Sequence, residues 1–254
     1  MQSLSRLALA AALSVATLSA QAALVNRGNG MIYDTVQNIT WLADMNYAVT
    51  SGYAAANAGG VGTNLILTNG RMGWGAATAW ANDLVYRGLS GWRLPTLNPD
   101  DASCTGGVVV GVGFNCTGGE LSRLFVADLG YNNNGSGLIT SDDTAEQIAN
   151  LALFSNVQPN LYWSGTDYVP GPGWAFGPGF AWDFGAGSGS QSVSFEDGAY
   201  YAVAVRTGDV AASVPAPVPE PQTLALALLA LGATMVVRRR RQFDALTPCC
   251  FDSS

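Results

Sequence analysis

The sequence contains neither histidine nor lysine, and all eleven of its basic residues are arginine. Without an imidazole, the chain cannot carry a Ser-His-Asp triad or a histidine-ligated zinc ion. Without lysine, it cannot form a Schiff base or supply the lysine of a phosphate-binding loop. General acid–base chemistry would have to use carboxyl, tyrosine or cysteine groups. We therefore predict that the protein is not an enzyme.

Positive charge is also scarce outside the carboxy-terminal segment. Four of the eleven arginines are consecutive, at Arg238-Arg239-Arg240-Arg241. Residues 23–221 contain six arginines and sixteen acidic residues, which gives this part of the chain a net charge of −10. Such a surface repels nucleic acid and anionic membranes. We expect no nucleic-acid partner.

The amino terminus has the parts of a secretory signal peptide. A positive charge precedes an apolar run at Leu7–Leu18, and Ala20 and Ala22 occupy the small-residue positions of a cleavage site. We predict that residues 1–22 are removed by signal peptidase, so that the exported domain spans residues 23–209. The alternative is a buried amino-terminal helix.

The carboxy-terminal part carries a second signal. A Pro/Ala-rich linker at residues 210–221 is expected to be extended and ends in Pro219-Glu220-Pro221. An apolar helix and the arginine cluster follow within residues 222–241. The uncharged part of this helix would span roughly 22 Å, which is shorter than a bilayer core of about 30 Å. We expect the arginines and the tail of residues 242–254 to remain cytoplasmic.

Together, the Pro-Glu-Pro motif, the short apolar helix and the arginine cluster resemble the PEP-CTERM sorting signal. The resemblance implies recognition by exosortase, a membrane cysteine peptidase of Gram-negative bacteria that cleaves near this motif. It also implies tethering to the inner membrane, followed by release to the cell surface or a biofilm matrix rich in exopolysaccharide. The tail after the arginines departs from the usual pattern, and an ordinary membrane helix is the alternative.

The four cysteines fall into two pairs. Cys104 and Cys116 lie in the exported part, where an oxidising compartment favours a disulfide. Cys249 and Cys250 lie in the predicted cytoplasmic tail, where we expect reduced thiols.

The periodicity of the exported part predicts an α+β domain, with helices preceding most of an antiparallel sheet. Apolar residues at helical spacing predict helices at Gly75–Arg87, Glu120–Leu129 and about Thr144–Leu153, the last with Ser141 as its cap. Asp83 is expected to pair with Arg87 across one helical turn. Strand-rich patterns occur at Ile32–Leu42 (strand–turn–strand), Leu161–Tyr168, Phe180–Phe184, Gln191–Phe195 and Tyr200–Arg206.

Five short motifs occur in a fixed order along this domain. They are Asp34-Thr35 with Trp41, Gly91-Trp92-Arg93-Leu94-Pro95-Thr96, Glu120-Leu121, Tyr162-Trp163-Ser164-Gly165-Thr166 and Tyr201-Ala202-Val203-Ala204-Val205-Arg206. Together they resemble the DUF1566 family, also called the Lcl C-terminal domain family. The resemblance implies a C-type-lectin-like fold and an adhesin role, since characterised relatives bind sulfated glycans. Residues Leu97–Gly119, which include both cysteines, interrupt the family pattern as an insertion.

Candidate binding residues lie in the later strands and loops. Trp174 and Trp182 flank the Pro170–Gly179 loop, where exposed rings would stack on sugars, although core packing is the alternative for Trp182. A further set comprises Asp167, Asp183, Glu196 and Asp197. These carboxylates offer oxygen ligands for Ca²⁺, but a solvated acidic face is the preferred interpretation. We predict no bound metal and no other cofactor.

Four further tryptophans, Trp41, Trp80, Trp92 and Trp163, are expected in the core, and Arg93 is expected to anchor a turn. The function predicted from the whole sequence is a non-catalytic surface or extracellular-matrix module that binds a glycan or exopolysaccharide. One alternative is a structural matrix protein without a discrete ligand. Another is a hydrolase that uses two carboxylates.

Overall fold

Nine β-strands form two antiparallel sheets in the part of the chain that the computed structural model describes, namely residues 24–107, 109–131, 143–170 and 177–213. The predicted signal peptide, sorting motif, anchor helix and tail lie outside these residues, as do Trp174 and Ser141. Within them, no helix is long and apolar enough to cross a membrane. Val210–Ser213 form a short 3-10 helix, so the described start of the predicted linker is not extended.

The first sheet has five strands and confirms the predicted strand–turn–strand. In spatial order its strands are β1 (Leu24–Gly28), β2 (Met31–Asp34), β3 (Ile39–Leu42), β9 (Val205–Thr207) and β4 (Trp92–Arg93). The β2–β3 turn is closed by Asp34, whose Oδ1 accepts hydrogen bonds of 2.9 Å from the backbone N–H groups of Val36 and Gln37.

The second sheet contains three of the predicted strands. In spatial order it consists of β5 (Gly113–Phe114), β8 (Ser190–Phe195), β7 (Phe180–Gly185) and β6 (Leu161–Asp167). The edge strand β5 lies within the predicted insertion. Its two residues pair with the start of β8. The insertion is therefore partly built into the sheet.

The predicted strand at Tyr200–Arg206 is only partly correct. Its regular pairing is confined to β9, while Tyr200 and Tyr201 make isolated bridges to Met72 and Tyr162. The physical reason is that this buried segment crosses from the second sheet to the first, so that its backbone carbonyls accept hydrogen bonds from strands of both sheets. The carbonyl of Tyr201 accepts from Trp163 N–H at 2.9 Å, whereas that of Ala204 accepts from the backbone N–H of Leu42 at 3.1 Å.

The helices are shorter than the periodicity suggests. They are α1 (Tyr47–Thr50), α2 (Tyr53–Ala56), α3 (Trp74–Asp83), α4 (Glu120–Arg123), which continues as a π-helix at Leu124–Asp128, and α5 (Ala145–Leu151). Thr144 caps α5 by accepting from the backbone N–H of Gln147 at 3.1 Å, so the prediction of Ser141 as the cap is wrong. The α+β class is confirmed.

The end of α3 differs from the prediction in a way that matters for the site. Leu84 is already extended, and Tyr86 and Leu89 exchange backbone hydrogen bonds of 2.9 Å around a two-residue turn. Both turn residues have positive φ, 50° at Arg87 and 79° at Gly88, as in a hairpin turn of type I′. The predicted Asp83–Arg87 pair is therefore wrong, since Arg87 Nε donates to the carbonyl of Asn29 at 3.1 Å.

Two apolar clusters form the core on opposite faces of β7. Side chains alternate along a strand, so Trp182 and Phe184 enter one cluster while Ala181 enters the other. The four predicted core tryptophans are all buried, which confirms their assignment: Trp41, Trp80, Trp92 and Trp163.

Arg93 ties β4 to the start of α4 and confirms the predicted anchoring role. Its guanidinium donates two hydrogen bonds of 2.7 Å to Glu120 and one of 3.0 Å to the carbonyl of Leu94. Glu120 also accepts from Thr96 N–H at 2.9 Å. Burial acts to raise the pKa of Glu120, but the hydrogen bonds from Arg93 and Thr96 outweigh it and lower the pKa overall.

The predicted disulfide between Cys104 and Cys116 is present, with the two Cα atoms 4.2 Å apart. Asp101 holds the same insertion together by accepting hydrogen bonds from Ser103 N–H, from its hydroxyl and from Gly118 N–H. Although burial would raise the pKa of Asp101, these donors lower it below the usual value. The insertion is thus fixed both covalently and by hydrogen bonds.

Candidate functional site

The two tryptophans proposed for sugar stacking do not form a site in the described structure. Trp182 has only 1% of its surface exposed and packs in the core, so its ring face is closed to a ligand. Trp174 lies outside the described residues. A stacking platform on Trp182 is therefore excluded by burial.

The four candidate carboxylates also fail to converge. Asp167 and Asp197 are exposed and Glu196 is half-buried, in line with a solvated acidic face. Asp183 departs from that expectation, because it is 0% exposed. Among the described residues these four do not form a group of three ligand atoms within 4.8 Å, as a compact cation site would require.

Asp183 is a buried acid on the central strand β7, opposite Trp163 on β6 and Ser192 on β8. Neither carboxylate oxygen has a hydrogen-bond partner of normal geometry within the described structure. Burial raises the pKa of Asp183 to about 6, and the nearby Ser194 hydroxyl opposes that rise only in part. Because this side chain is closed to solvent, its carboxylate cannot contact a substrate in this structure.

A second set of ligand-type atoms surrounds the disulfide. The Asp101 carboxylate and the sulfurs of Cys104 and Cys116 lie within 4.8 Å of one another. The sulfurs are bonded to each other, and a thiolate is the form of cysteine that binds a metal. Three internal hydrogen bonds already occupy the carboxylate. This set is therefore structural.

An open cavity lies between α1, α2 and the end of α3. Aromatic rings and one carboxylate line it. Its volume is about 380 Å³, within the range of about 300–1,000 Å³ typical of small-molecule sites. The lining consists of aromatic, small polar and aliphatic residues: Tyr47, Ser51, Gly52, Tyr53, Ala56, Trp80, Asp83, Leu84 and Val85. We call it the tyrosine cavity.

Local packing fixes one wall of the tyrosine cavity. The ring of Tyr47 meets that of Tyr86 edge to face, with centroids 5.1 Å apart. Tyr86 in turn packs edge to face on Trp92 at 6.0 Å and donates its hydroxyl hydrogen to the carbonyl of Asn29 at 2.7 Å. Tyr47 therefore occupies a set orientation, which lowers the cost of ordering it around a ligand.

Asp83 supplies the charge of the cavity. It is exposed, and within the described structure its carboxylate has neither a hydrogen bond nor a salt bridge. Burial raises the pKa of Tyr53, and the negative charge of Asp83 raises it further, which places the carboxylate within electrostatic reach of the phenol. None of the arginines lines the cavity.

The sequence did not reveal this site. Helices α1 and α2 have only four residues each, too few to show a periodic pattern. The sequence feature that bears on the site is the pair Arg87-Gly88. These two residues form the turn that separates Arg87 from Asp83. Comparison of the chain with known protein families, with curated proteins and with solved structures finds no match.

Proposed function

We propose that the protein is an exported, non-catalytic module of the cell surface or extracellular matrix that binds a glycan. The tyrosine cavity is the observation that carries this proposal. Half-buried Tyr47 and Tyr53 offer apolar ring surface for the C–H face of a sugar, and their hydroxyls make no hydrogen bond within the described structure. Asp83 adds an acceptor for sugar hydroxyls. A concave apolar wall with a few polar groups is the usual composition of a ligand site.

The proposed family relationship points the same way. An α+β domain with antiparallel sheets is compatible with a C-type-lectin-like member of the DUF1566, or Lcl C-terminal domain, family. Two of the motifs behind that resemblance contact each other. Arg93 of the Gly91-Trp92-Arg93-Leu94-Pro95-Thr96 motif binds Glu120 of the Glu120-Leu121 motif. An adhesin role would follow from that relationship.

Export and sorting form part of the proposal. The Cys104–Cys116 disulfide supports an oxidising compartment, because such bonds persist in secreted proteins and are rare in the cytosol. Signal peptidase would then cleave after Ala22, and exosortase near Pro219-Glu220-Pro221. Intact mass spectrometry of the mature protein tests both steps. A mass that extends past Arg241 contradicts removal of the anchor.

Binding is favoured over hydrolysis by the placement of the carboxylates. A glycosidase needs two carboxyl groups that face the scissile bond from either side. The acid at the sheet centre, Asp183, is closed to solvent, and among the described residues Asp83 is the single carboxylate that lines the tyrosine cavity. The proposed site therefore lacks the second carboxylate that the hydrolase alternative requires.

A glycan array with the purified mature protein tests the proposal. We expect retention of at least one oligosaccharide and its loss in Tyr53→Ala. The control is Tyr33→Phe, on strand β2 outside the cavity. If no glycan is retained, the protein is better described as a matrix component without a discrete ligand. If retention is unchanged in Tyr53→Ala, the tyrosine cavity is not the site.

A further inference from the structure

The charge of the tyrosine cavity is uncompensated for a structural reason. At the end of α3, the turn at Arg87 and Gly88 directs Arg87 to the carbonyl of Asn29 and to the ring of Tyr86, 5.7 Å from its centroid. The neighbouring cation that sequence spacing would assign to Asp83 is thus used elsewhere. The carboxylate remains at the rim of an aromatic cavity without a cationic partner.

The other arginines of the domain do not supply that partner. Arg27 binds Asp209, Arg93 binds Glu120 and Arg123 approaches Asp128. Arg206 donates to the carbonyl of Ser90 at 2.9 Å, and Arg71 is absent from the cavity lining. Among the described residues no arginine therefore neutralises Asp83, and a cationic ligand would supply the missing charge.

The rings around Asp83 suit a cation as well as a sugar. Tyrosine faces attract an ammonium group by their quadrupole, and a nearby carboxylate adds direct charge attraction. An anionic ligand would meet Asp83 and the net charge of −10 on residues 23–221 with no arginine in the cavity to offset them. Val85, which is 63% exposed, extends the apolar rim and offers surface for the C–H face of a sugar ring.

We infer that the tyrosine cavity binds a saccharide that carries a free ammonium group, with the ammonium beside Asp83 and the sugar ring against Tyr47 and Tyr53. This inference rests on the proposed glycan-binding function and specifies its ligand class. Neutral saccharides bind the same rings more weakly, and uronic or sulfated saccharides are repelled.

The test compares three disaccharides of matched linkage by calorimetry on the purified mature protein. One has free amines, one has the same amines acetylated, and one is built from uronic acids. We expect the free amine to bind at least tenfold more tightly than its acetylated form, and the uronate not to bind. Short ligands are essential, because a long polycation would bind any strongly acidic protein.

Two charge-matched variants separate the cavity from the overall charge. Asp83→Asn is expected to remove the tenfold preference for the free amine over its acetylated form. Asp197→Asn, which removes an exposed carboxylate outside the cavity, changes the net charge equally and is expected to keep the preference. Thermal melting of both variants checks that the fold is intact.

The outcomes distinguish this inference from the function on which it rests. Equal affinity for the free and acetylated amines, or an equal loss of preference in both variants, overturns the ammonium assignment but leaves glycan binding in place. If tetramethylammonium displaces the sugar and binds as tightly as the sugar does, the saccharide ring is not recognised and the inference is wrong. If none of the three disaccharides binds, and the glycan array retains nothing, the proposed function itself fails.

Discussion

Removing the negative charge of Asp183 should make the protein more stable at neutral pH. The side chain is fully buried on β7, where the nearby Ser194 hydroxyl compensates for its burial only in part. A buried carboxylate that is compensated only in part destabilises the folded state, because the unfolded chain solvates the same charge fully. Asp183→Asn keeps the size of the side chain and removes the charge.

The magnitude and sign follow from the pKa of the group. Burial raises the pKa of Asp183 from 3.8 to about 6, so the folded protein holds this proton more tightly than the unfolded chain does. Its contribution to stability is therefore greatest below the unfolded pKa and falls as the pH rises from 3.8 to about 6. At about 1.4 kcal/mol for each pH unit between the two pKa values, the fall is about 3 kcal/mol.

Urea denaturation at several pH values between 4 and 7.5 measures this effect. Asp183→Asn should match the parent near pH 4 and exceed it by about 1–3 kcal/mol at neutral pH, less any cost of the buried amide. Asp128, whose pKa burial also raises to about 6, adds a similar slope to parent and variant and cancels in the difference. Asp197→Asn serves as the exposed control. A difference that does not depend on pH, or a variant less stable at neutral pH, refutes the reasoning and indicates that Ser194 compensates the Asp183 charge in full.

Two further predictions concern the contacts that fix the insertion and its neighbours. Arg93→Ala should destabilise the fold by about 1.5–3 kcal/mol, since it leaves the half-buried Glu120 carboxylate without its cation. Combining it with Glu120→Gln should cost less than the sum of the single changes, and strict additivity of the unfolding free energies contradicts direct coupling. Replacing Cys104 and Cys116 by serine should cost about 3 kcal/mol on the chain-entropy model. Dithiothreitol should lower the melting temperature of the parent but not of this variant.

The fold class could be predicted because local patterns persist in the structure. The patterns in Phe180–Phe184 and Gln191–Phe195 predicted two strands, which the structure contains as β7 and β8. The tryptophans in patterned segments were correctly placed in the core. Segments whose conformation depends on tertiary contacts are harder to predict. The segment from Tyr200 to Ala204 has the composition of a strand, but its backbone hydrogen-bond partners change along its length, so it is not continuously paired.

The candidate site could not be predicted for a related reason. Acidity and position singled out Asp183, but no local feature of FAWDF shows that this carboxylate faces the interior. The sequence predicts that side chains alternate between the two faces of the strand. Whether both faces of β7 are buried depends on the elements that pack against each face. Tyr47 and Tyr53 cannot be predicted as site residues, because helices of one turn carry no periodic pattern. Their rings converge only through contacts between α1, α2 and α3.

The ends of short elements decide the chemistry of this surface. Had α3 continued to Arg87, as apolar spacing suggested, Asp83 would lie one turn from a cation and form a weak surface pair of a few tenths of a kcal/mol. The helix instead ends at Asp83 ahead of the turn at Arg87-Gly88, and Asp83 and Tyr53 line the same cavity. Tyr86, which precedes this turn, packs edge to face on Tyr47, and Tyr47 also lines the cavity. One change of backbone direction therefore leaves Asp83 without a cationic partner and holds Tyr47 in a set orientation, and the binding that we propose uses both residues.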